Sequence, residues 1–368
     1  MKIGITGQAG FIGTHLYNNL GLDESFERIP FADESFQNDK LMDDFVSQCD
    51  VIVHLAAMNR HNDADVLYKT NIELVDKLIN SVKRCGTKPH IIMSSSTQEE
   101  RDNLYGRSKR EGREKFVEFA KSGGCYFTGL VIPNVYGPFG NPFYNSVTST
   151  FSHLIANNKD VKIDIDAELE MIYVQDLCQE IIKVIKEKTF TDELRLGYTG
   201  QCKVSELRDK LIAFHDTYSQ GIIPRFNNRF ELTLFNTYRC YLPKDHFPVL
   251  YTKHSDNRGS FVEIIKSNGE GQFSFSTTKP GITRGNHYHT RKVERFAVIS
   301  GKASIKLRRI GTEEVIEYIV DGTEPGFVDM PIWFTHNITN VGDGELITLF
   351  WINEFYDSKD PDTYYEEV

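Results

Sequence analysis

The chain has 368 residues, 40% of them hydrophobic, and a formal charge of −10. That length suits two globular domains rather than one core. The acidic balance speaks against a nucleic-acid footprint, which needs clustered Lys and Arg, and no run approaches the roughly 20 apolar residues of a membrane span.

Residues 2–6 read as a strand that runs straight into a glycine loop, so the start does not read as a signal peptide and the expected location is the cytoplasm. Cys49, Cys85, Cys125, Cys178, Cys202 and Cys240 are dispersed without a Cys-x-x-Cys pair, as expected of reduced, buried thiols. Residues 11–20 read as a helix. Residues 51–55 and 90–93 read as buried strands, with an amphipathic helix over 70–85 between them, and 127–132 as a further strand. Strand–helix alternation of this kind predicts a doubly wound α/β parallel sheet covered on both faces. Residues 133–241 are more mixed and are expected to form a substrate-facing lobe.

Pro243 and Pro248 bracket a polar patch and mark a boundary, giving domains 1–243 and 249–368. Beyond it, 261–266, 272–277, 294–299, 303–308, 315–320 and 345–352 read as short strands separated by Gly, Asn and Asp turns. Helical periodicity is absent there, so an all-β antiparallel sandwich or barrel is predicted.

Gly7, Gly10 and Gly13 follow the first strand and open the first helix. Such spacing permits a tight turn and close approach of backbone to a pyrophosphate, with the helix N-terminus supplying N–H donors. Tyr105 and Lys109 lie four apart and share a helix face, where an ammonium favours tyrosinate and lowers the phenol pKa. The strand over 90–93 ends in Ser94, Ser95 and Ser96, whose hydroxyls can hydrogen-bond a substrate carbonyl. Each feature alone also suits an ordinary strand–helix turn or surface helix; the combination points to a nucleotide-cofactor site.

These pieces resemble the extended short-chain dehydrogenase/reductases, a Rossmann-like family of nucleotide-sugar epimerases, dehydratases and reductases. The resemblance spans residues 1–242. It rests on Thr6-Gly7-Gln8-Ala9-Gly10-Phe11-Ile12-Gly13, His54-Leu55-Ala56-Ala57, Asn71, Tyr105 with Lys109, Pro133–Pro138 and Tyr173–Asp176. It implies Ser96, Tyr105 and Lys109 as catalytic residues, with Tyr105 the proton donor. It implies cofactor contacts from Gly7, Gly10, Phe11, Ile12, Gly13, Leu55, Ala56, Ala57, Asn71, Ser94, Tyr105 and Lys109. The Asp that usually binds an adenosine ribose is not evident near Ile29-Pro30-Phe31, which favours NADPH over NADH, with Arg28 as a candidate phosphate partner.

In the last third, Gly281 is followed by His287 and His289, then Glu294 and Gly301. Pro331 is followed by His336 and Asn340. Three imidazoles and a carboxylate suit a divalent transition metal, with Zn, Fe, Ni and Mn all compatible. The two runs are similar to the paired motifs of the cupin family, except that Trp333 stands where a glycine is usual. Asp256–Phe261 with Glu263, then Gln272–Ser276, then Gly281–His289 resemble the deoxysugar 3,5-epimerases. Those enzymes abstract a proton beside a ketone, using a His at the position of His287. The resemblance implies sugar-nucleotide binding by Arg258 and Arg284, expected as a buried pair facing a diphosphate. If His287 binds metal, another base is needed; Tyr288 and Lys292 are the candidates in this run.

The whole order, reductase then metal-binding cupin barrel, resembles the bifunctional capsular-polysaccharide enzymes of the CapF type. That family implies C3 epimerisation of a UDP-2-acetamido-2,6-dideoxy-4-hexulose, then NADPH-dependent C4 reduction to UDP-N-acetyl-6-deoxy-L-talosamine, on the route to UDP-N-acetyl-L-fucosamine. It also implies zinc and a homodimer. Three alternatives stay open: a reductase with a regulatory, structural or dimerising cupin, a redox-neutral NAD-dependent 4-epimerase or dehydratase, and a non-enzymatic nucleotide-sugar sensor or assembly protein.

Overall fold

The computed structural model describes residues 1–257 and 259–368. The chain forms two compact units, residues 1–150 with 164–204, and residues 151–163 with 205–368.

In the first unit, β1 (Lys2–Thr6), α1 (Phe11–Leu20), β2 (Glu27–Ile29), α2 (Asp39–Gln48), β3 (Val51–His54), α3 (Ala64–Cys85), β4 (His90–Ser96), α4 (Leu104–Lys121) and β5 (Tyr126–Ile132) follow in order. After them come β6 (Asn134–Tyr136), α5 (Val147–Ala156, which straddles the division), β7 (Glu168–Tyr173), α6 (Val174–Glu187), β8 (Thr191–Arg195) and β9 (Gly200–Lys203). The main sheet runs β2-β1-β3-β4-β5-β8, all parallel. Every residue of β3 is buried, because helices cover both faces and a continuous apolar run is stable only there. Ile52, Ile91, Met93 and Phe127 pack against α2, α3 and α4 on one face. Ile3, Ile5, Val51, Val53 and Leu130 pack against α1 and α6 on the other. Connections leave β1 toward β2 and β3 toward β4 in opposite directions, so the sheet has a switch point between the C-terminal ends of β1 and β3, where such folds bind ligands.

Helix α3 starts at Ala64, six residues before the expected start. Asp63 caps it by accepting from the N–H groups of Asp65 (2.8 Å) and Val66 (3.3 Å), which ends the orphaned donors of the first turn. It stops at Gly86, whose φ of +64° is the left-handed cap that glycine adopts without strain.

The second unit holds α7 (Val204–Tyr218), β10 (Ile222–Ile223), α8 (Arg229–Arg239), β11 (Val249–Leu250), β12 (Lys253–Asp256), β13 (Gly259–Val262), β14 (Lys266–Ser267), β15 (Gln272–Thr278) and β16 (Thr283–Tyr288). These are followed by β17 (Glu294–Ser300), β18 (Lys302–Arg309), β19 (Val315–Asp321), β20 (Gly326–Met330), β21 (Phe334–Asn340), β22 (Leu346–Ile352) and β23 (Tyr364–Tyr365). Two five-stranded sheets, β11-β20-β17-β22-β15 and β19-β18-β21-β16-β23, face each other over a core that includes Phe296, Val298, Ile305, Leu307, Val328 and Ile338. Among the described residues of this unit, seven strands were not anticipated: β10, β11, β12, β16, β20, β21 and β23. The expected strand over 261–266 is instead split between β13 and β14.

Residues 205–241 pack with the barrel by contact, although the proline-marked boundary lies after them. The outer face of β17 and β20 explains this. Arg295 and Asp329 pair there through 2.7 and 2.9 Å bonds, both fully buried. Tyr218 of α7 donates its hydroxyl to Asp329, and Arg295 donates to the Gly221 carbonyl at 2.7 Å. A buried ion pair is tolerated only when every remaining polar atom is bonded, and here the helical segment supplies those bonds.

Candidate functional site

Two constellations stand out, one in each unit. In the first, Gly7 has φ +72°, and a Cβ there would lie 2.9 Å from Ala56 Cα. Only glycine allows the β1 and β3 loops to touch. At Gly13 a Cβ would lie 2.2 Å from the Gly7 carbonyl oxygen, so helix α1 seats directly on the loop. Among the described residues no side chain caps α1 at Gly10, and its first turn holds no acid. A helix start of this kind suits an anion, since its leading N–H groups have no intrahelical acceptor. Thr6 Oγ1 lies 2.8 Å from His54 Nδ1 and accepts from the Ala56 N–H at 3.5 Å. Burial, with Lys109 nearby, lowers His54 to about 3, so its ring is neutral. Phe11, Ile12, Leu55, Ala56 and Ala57 are half-buried around this loop.

The opposite wall is the tip of β4 with α4. Ser94 donates to the His54 carbonyl at 3.2 Å, and its own carbonyl accepts from Lys109 Nζ at 2.8 Å. Ser96 Oγ accepts from the Gln98 N–H at 3.2 Å, capping a short 3-10 turn over Thr97–Glu100. Asn71 binds the Met58 N–H and carbonyl at 2.7 and 3.0 Å and the Ser108 hydroxyl at 3.0 Å, tying α3 to the loop and to α4. The Tyr105 hydroxyl donates to Asn59 Oδ1 at 3.1 Å. The structure thus gathers Gly7, Gly10, Gly13, Leu55, Ala56, Ala57, Asn71, Ser94, Ser96, Tyr105 and Lys109 around the C-terminal edge of one sheet.

Three expectations change. Burial, with the Tyr144 phenol adding, pushes Tyr105 up to about 12 instead of lowering it. The Lys109 ammonium is directed at the Ser94 carbonyl, and burial, partly offset by Glu99, brings it down to about 8. Arg28 is not at the phosphate loop; it donates to the Tyr17 carbonyl at 3.1 Å and lies 4.4 Å over the Tyr17 ring, near the far end of α1. Two contributors escaped the sequence. Asn59, partner of the phenol, is a loop residue without periodicity. Glu99, buried, accepts from Ser95 and binds Arg113 through 3.0 and 2.8 Å bonds, bracing the turn after the serines.

In the second unit, His287 on β16, His289 just after it, Glu294 opening β17 and His336 on β21 place their ligand atoms within 4.8 Å of one another. Glu294 Oε2 lies 3.1 Å from His289 Nε2 and 3.2 Å from His336 Nε2. Alternation along β17 turns Glu294, Phe296 and Val298 inward and Arg295 outward. The outer nitrogens are spoken for: Nδ1 of His289 meets the Asp362 carbonyl, and Nδ1 of His336 meets the Phe334 carbonyl at 3.1 Å. A carbonyl can only accept, so each Nδ1 carries a proton and each Nε2 is turned toward the cluster. His336 Nε2 is buried without an aligned hydrogen-bond partner. Burial would raise Glu294, but His289 and His336 hold it well below the ordinary carboxylate range. Burial and the two neighbouring rings lower His287 to about 4. Three imidazoles and a carboxylate held this close are a donor set that a divalent cation takes, and the orphaned His336 Nε2 fits a coordinating role.

Trp333 has φ +60° and is 2% exposed. It adopts the left-handed conformation that a glycine usually fills. Its N–H donates to the His289 carbonyl at 2.7 Å, and its ring stacks on Tyr288 at 5.6 Å. Tyr288 in turn stacks on Tyr364. Neither candidate base faces the cluster freely: Tyr288 is buried in this stack, and Lys292 donates to the Pro361 carbonyl at 2.6 Å. Asn340 is a turn lock, donating to the Thr278 and Gly344 carbonyls at 2.7 and 2.8 Å. Arg284 pairs with Ile338 and so shares its sheet face with His336. It is exposed, not buried, and donates to Thr278 Oγ1 at 3.0 Å. Arg258 lies outside the described residues.

Residues 3–194 match the NAD dependent epimerase/dehydratase family, and residues 254–364 match the polysaccharide biosynthesis C-terminal domain. The chain is 35% identical over 368 residues to a Pseudomonas aeruginosa UDP-2-acetamido-2,6-beta-L-arabino-hexul-4-ose reductase, covering 99% of this chain and 98% of that one. The capsular polysaccharide assembling protein CapF of Staphylococcus aureus aligns over 100% of both chains, with 35% identity and a TM-score of 0.65. A UDP-glucose 4-epimerase of Thermotoga maritima, 22% identical with a TM-score of 0.54, covers 59% of this chain and 83% of its own, and shares the fold of the first unit. The glycine loop, the Tyr105/Lys109 helix, the antiparallel barrel of the second unit and these full-length matches lead to one conclusion: the chain belongs to the NAD dependent epimerase/dehydratase family, as a full-length homologue of CapF.

Proposed function

We propose that the chain is a bifunctional enzyme of a UDP-2-acetamido-2,6-dideoxy-4-hexulose. Its barrel inverts C3 and its first unit reduces the C4 ketone with NADPH to UDP-N-acetyl-6-deoxy-L-talosamine. The observation that carries the reductase half is the placement of Tyr105, Lys109 and Ser96 on α4 and at the tip of β4, beside the glycine loop. Full-length identity to a 4-keto-sugar reductase supports it.

A reduced nicotinamide bound there supplies the hydride. The protein's part is to hold the ketone and return a proton. At about 12 the Tyr105 phenol is protonated at neutral pH, the state needed to donate to an oxygen gaining negative charge. The Ser96 hydroxyl supports that oxygen, and Lys109, still mostly charged below about 8, places a positive charge at the end of β4.

His287, His289, Glu294 and His336 would hold a divalent ion, zinc in this proposal. Such an ion, when bound, supplies an electrophile for charge developing on a carbonyl oxygen. A ketone at C4 acidifies the neighbouring C–H, so inversion at C3 must precede reduction; once C4 is an alcohol the hydrogen is no longer removable. Location in the cytoplasm and a homodimer belong to the same proposal, the latter read by light scattering.

Incubation with a UDP-4-keto-6-deoxy-N-acetylhexosamine and each nicotinamide, with NMR of the product, tests both halves. Deuterium should enter from D₂O without nicotinamide, and NADPH should be consumed in step with product. A second reading, a reductase with a non-catalytic barrel, is favoured by the engagement of Tyr288 and Lys292 in packing. Absence of deuterium exchange would select it.

A further inference from the structure

The ligand run His287–Glu294 is interrupted by a turn over 290–293, and what holds that turn comes from the far end of the chain. Asp362 Oδ1 accepts from the Thr290 N–H at 3.0 Å and its hydroxyl at 2.6 Å. Asp362 Oδ2 accepts from the N–H groups of Arg291 and Lys292, each at 3.1 Å. The carbonyl of the same residue accepts from His289 Nδ1. Asp362 is 2% exposed and sits at φ +41°, a backbone state that non-glycine residues adopt only when surroundings impose it.

Neighbouring residues reinforce the attachment. The Arg291 guanidinium binds Glu354 at 3.0 Å and Asp360 at 3.0 Å. Lys292 Nζ binds the Pro361 carbonyl. Tyr364 and Tyr365 then pair antiparallel with Tyr288 and His287, so β23 closes the edge of the sheet that carries two ligands.

We propose that this C-terminal strap is part of the metal centre, with Asp362 the positioning residue for His289. Its carbonyl keeps the proton on Nδ1 and leaves Nε2 bare. Its carboxylate fixes the turn that sets the reach from His289 to Glu294. This rests on the reading of the four-residue cluster as a metal site. Partners of this kind, one bond removed from the ion, alter metal affinity by about 10–100-fold when lost.

The test uses the full chain as wild type, Asp362→Ala and Asp362→Asn. Zn²⁺ affinity is measured by competition with a chromophoric chelator, and Co²⁺ absorption reports ligand geometry. NADPH binding is measured on the same samples as a control on the first unit. Asp362→Ala should weaken Zn²⁺ about 10–100-fold and change the Co²⁺ bands, with NADPH affinity unchanged. Asp362→Asn, which keeps an acceptor for Thr290 and tolerates the same φ, should weaken Zn²⁺ by a smaller factor; it decides alone if the Ala variant does not fold. Wild-type affinity and spectra in the decisive variant overturn the role of Asp362 while leaving the metal reading intact. Failure of the wild type to bind Zn²⁺ or Co²⁺ overturns both.

Discussion

Lys109 Nζ donates to the main-chain carbonyl of Ser94 at 2.8 Å, inside the sheet's C-terminal edge. The bond ties a catalytic-face helix to the strand that ends in the serines, and it buries the ammonium. Burial lowers Lys109 from an ordinary 10.5 to about 8. The charged form therefore declines as pH rises past about 8, and kcat/KM for reduction should fall with one ionisation there. Stability should move the other way. Between about 8 and 10.5 the unfolded chain binds the extra proton, so this residue's contribution to stability rises with pH across that window. Lys109→Met should remove the alkaline limb and leave a low, flat profile; an unchanged limb would assign it elsewhere.

Tyr105→Phe should remove the proposed proton donor while keeping the ring packing. A loss of about 10²–10⁴ in the rate of ketone reduction is expected, with NADPH affinity near wild type. Stopped-flow single turnover measures the chemical step. Deuterium exchange into the keto sugar should persist in this variant, because the proposed function assigns it to the barrel.

Arg113→Met should destabilise the first unit strongly. The Glu99 and Arg113 side chains are 5% and 12% exposed, and removing one partner leaves a buried charge unpaired. Such losses run to about 3–5 kcal/mol. Adding Glu99→Gln should recover part of it, since both charges are then gone and the Ser95 hydroxyl keeps an acceptor. Urea midpoints of the two variants decide this.

Trp333→Gly sets strain against packing. Relief of the left-handed backbone returns about 1–2 kcal/mol, while loss of a buried Trp removes about 3–5 kcal/mol. Packing should win, with a net destabilisation of about 2 kcal/mol read from urea denaturation. A more stable glycine variant would show that the stack on Tyr288 contributes little.

Metal should stabilise the barrel. Among the described residues His336 Nε2 is buried without an aligned partner, and a cation held by the cluster would supply one. Zn²⁺ at about 100 times its Kd should add about 2.7 kcal/mol, seen as a raised melting temperature that EDTA reverses. His336→Ala should abolish the shift.

Elements buried on both sides were legible early. Val51–Val53 and Ile91–Met93 are apolar throughout because helices cover both faces. β16 and β21 were missed for the opposite reason. Thr283–Tyr288 and Phe334–Asn340 turn polar and ligating side chains toward the barrel interior, so the alternation that marks a half-buried strand is absent. The start of α3 was placed late because Ala64, Asp65 and Val66 are exposed and do not continue the buried stripe; the Asp63 cap, not periodicity, sets it.

By itself the sequence determined the glycine loop, the Tyr105/Lys109 pair and the run His287, His289, Glu294, because each depends on residues near one another in the chain, and it offered His336 through a second short motif. Tertiary structure alone decided the rest. It showed that burial raises Tyr105 and lowers Lys109, that Trp333 takes a glycine's backbone, and that Asp362 reaches back some seventy residues to hold His289. Desolvation and hydrogen bonding act through space, and the separation along the chain carries no trace of them.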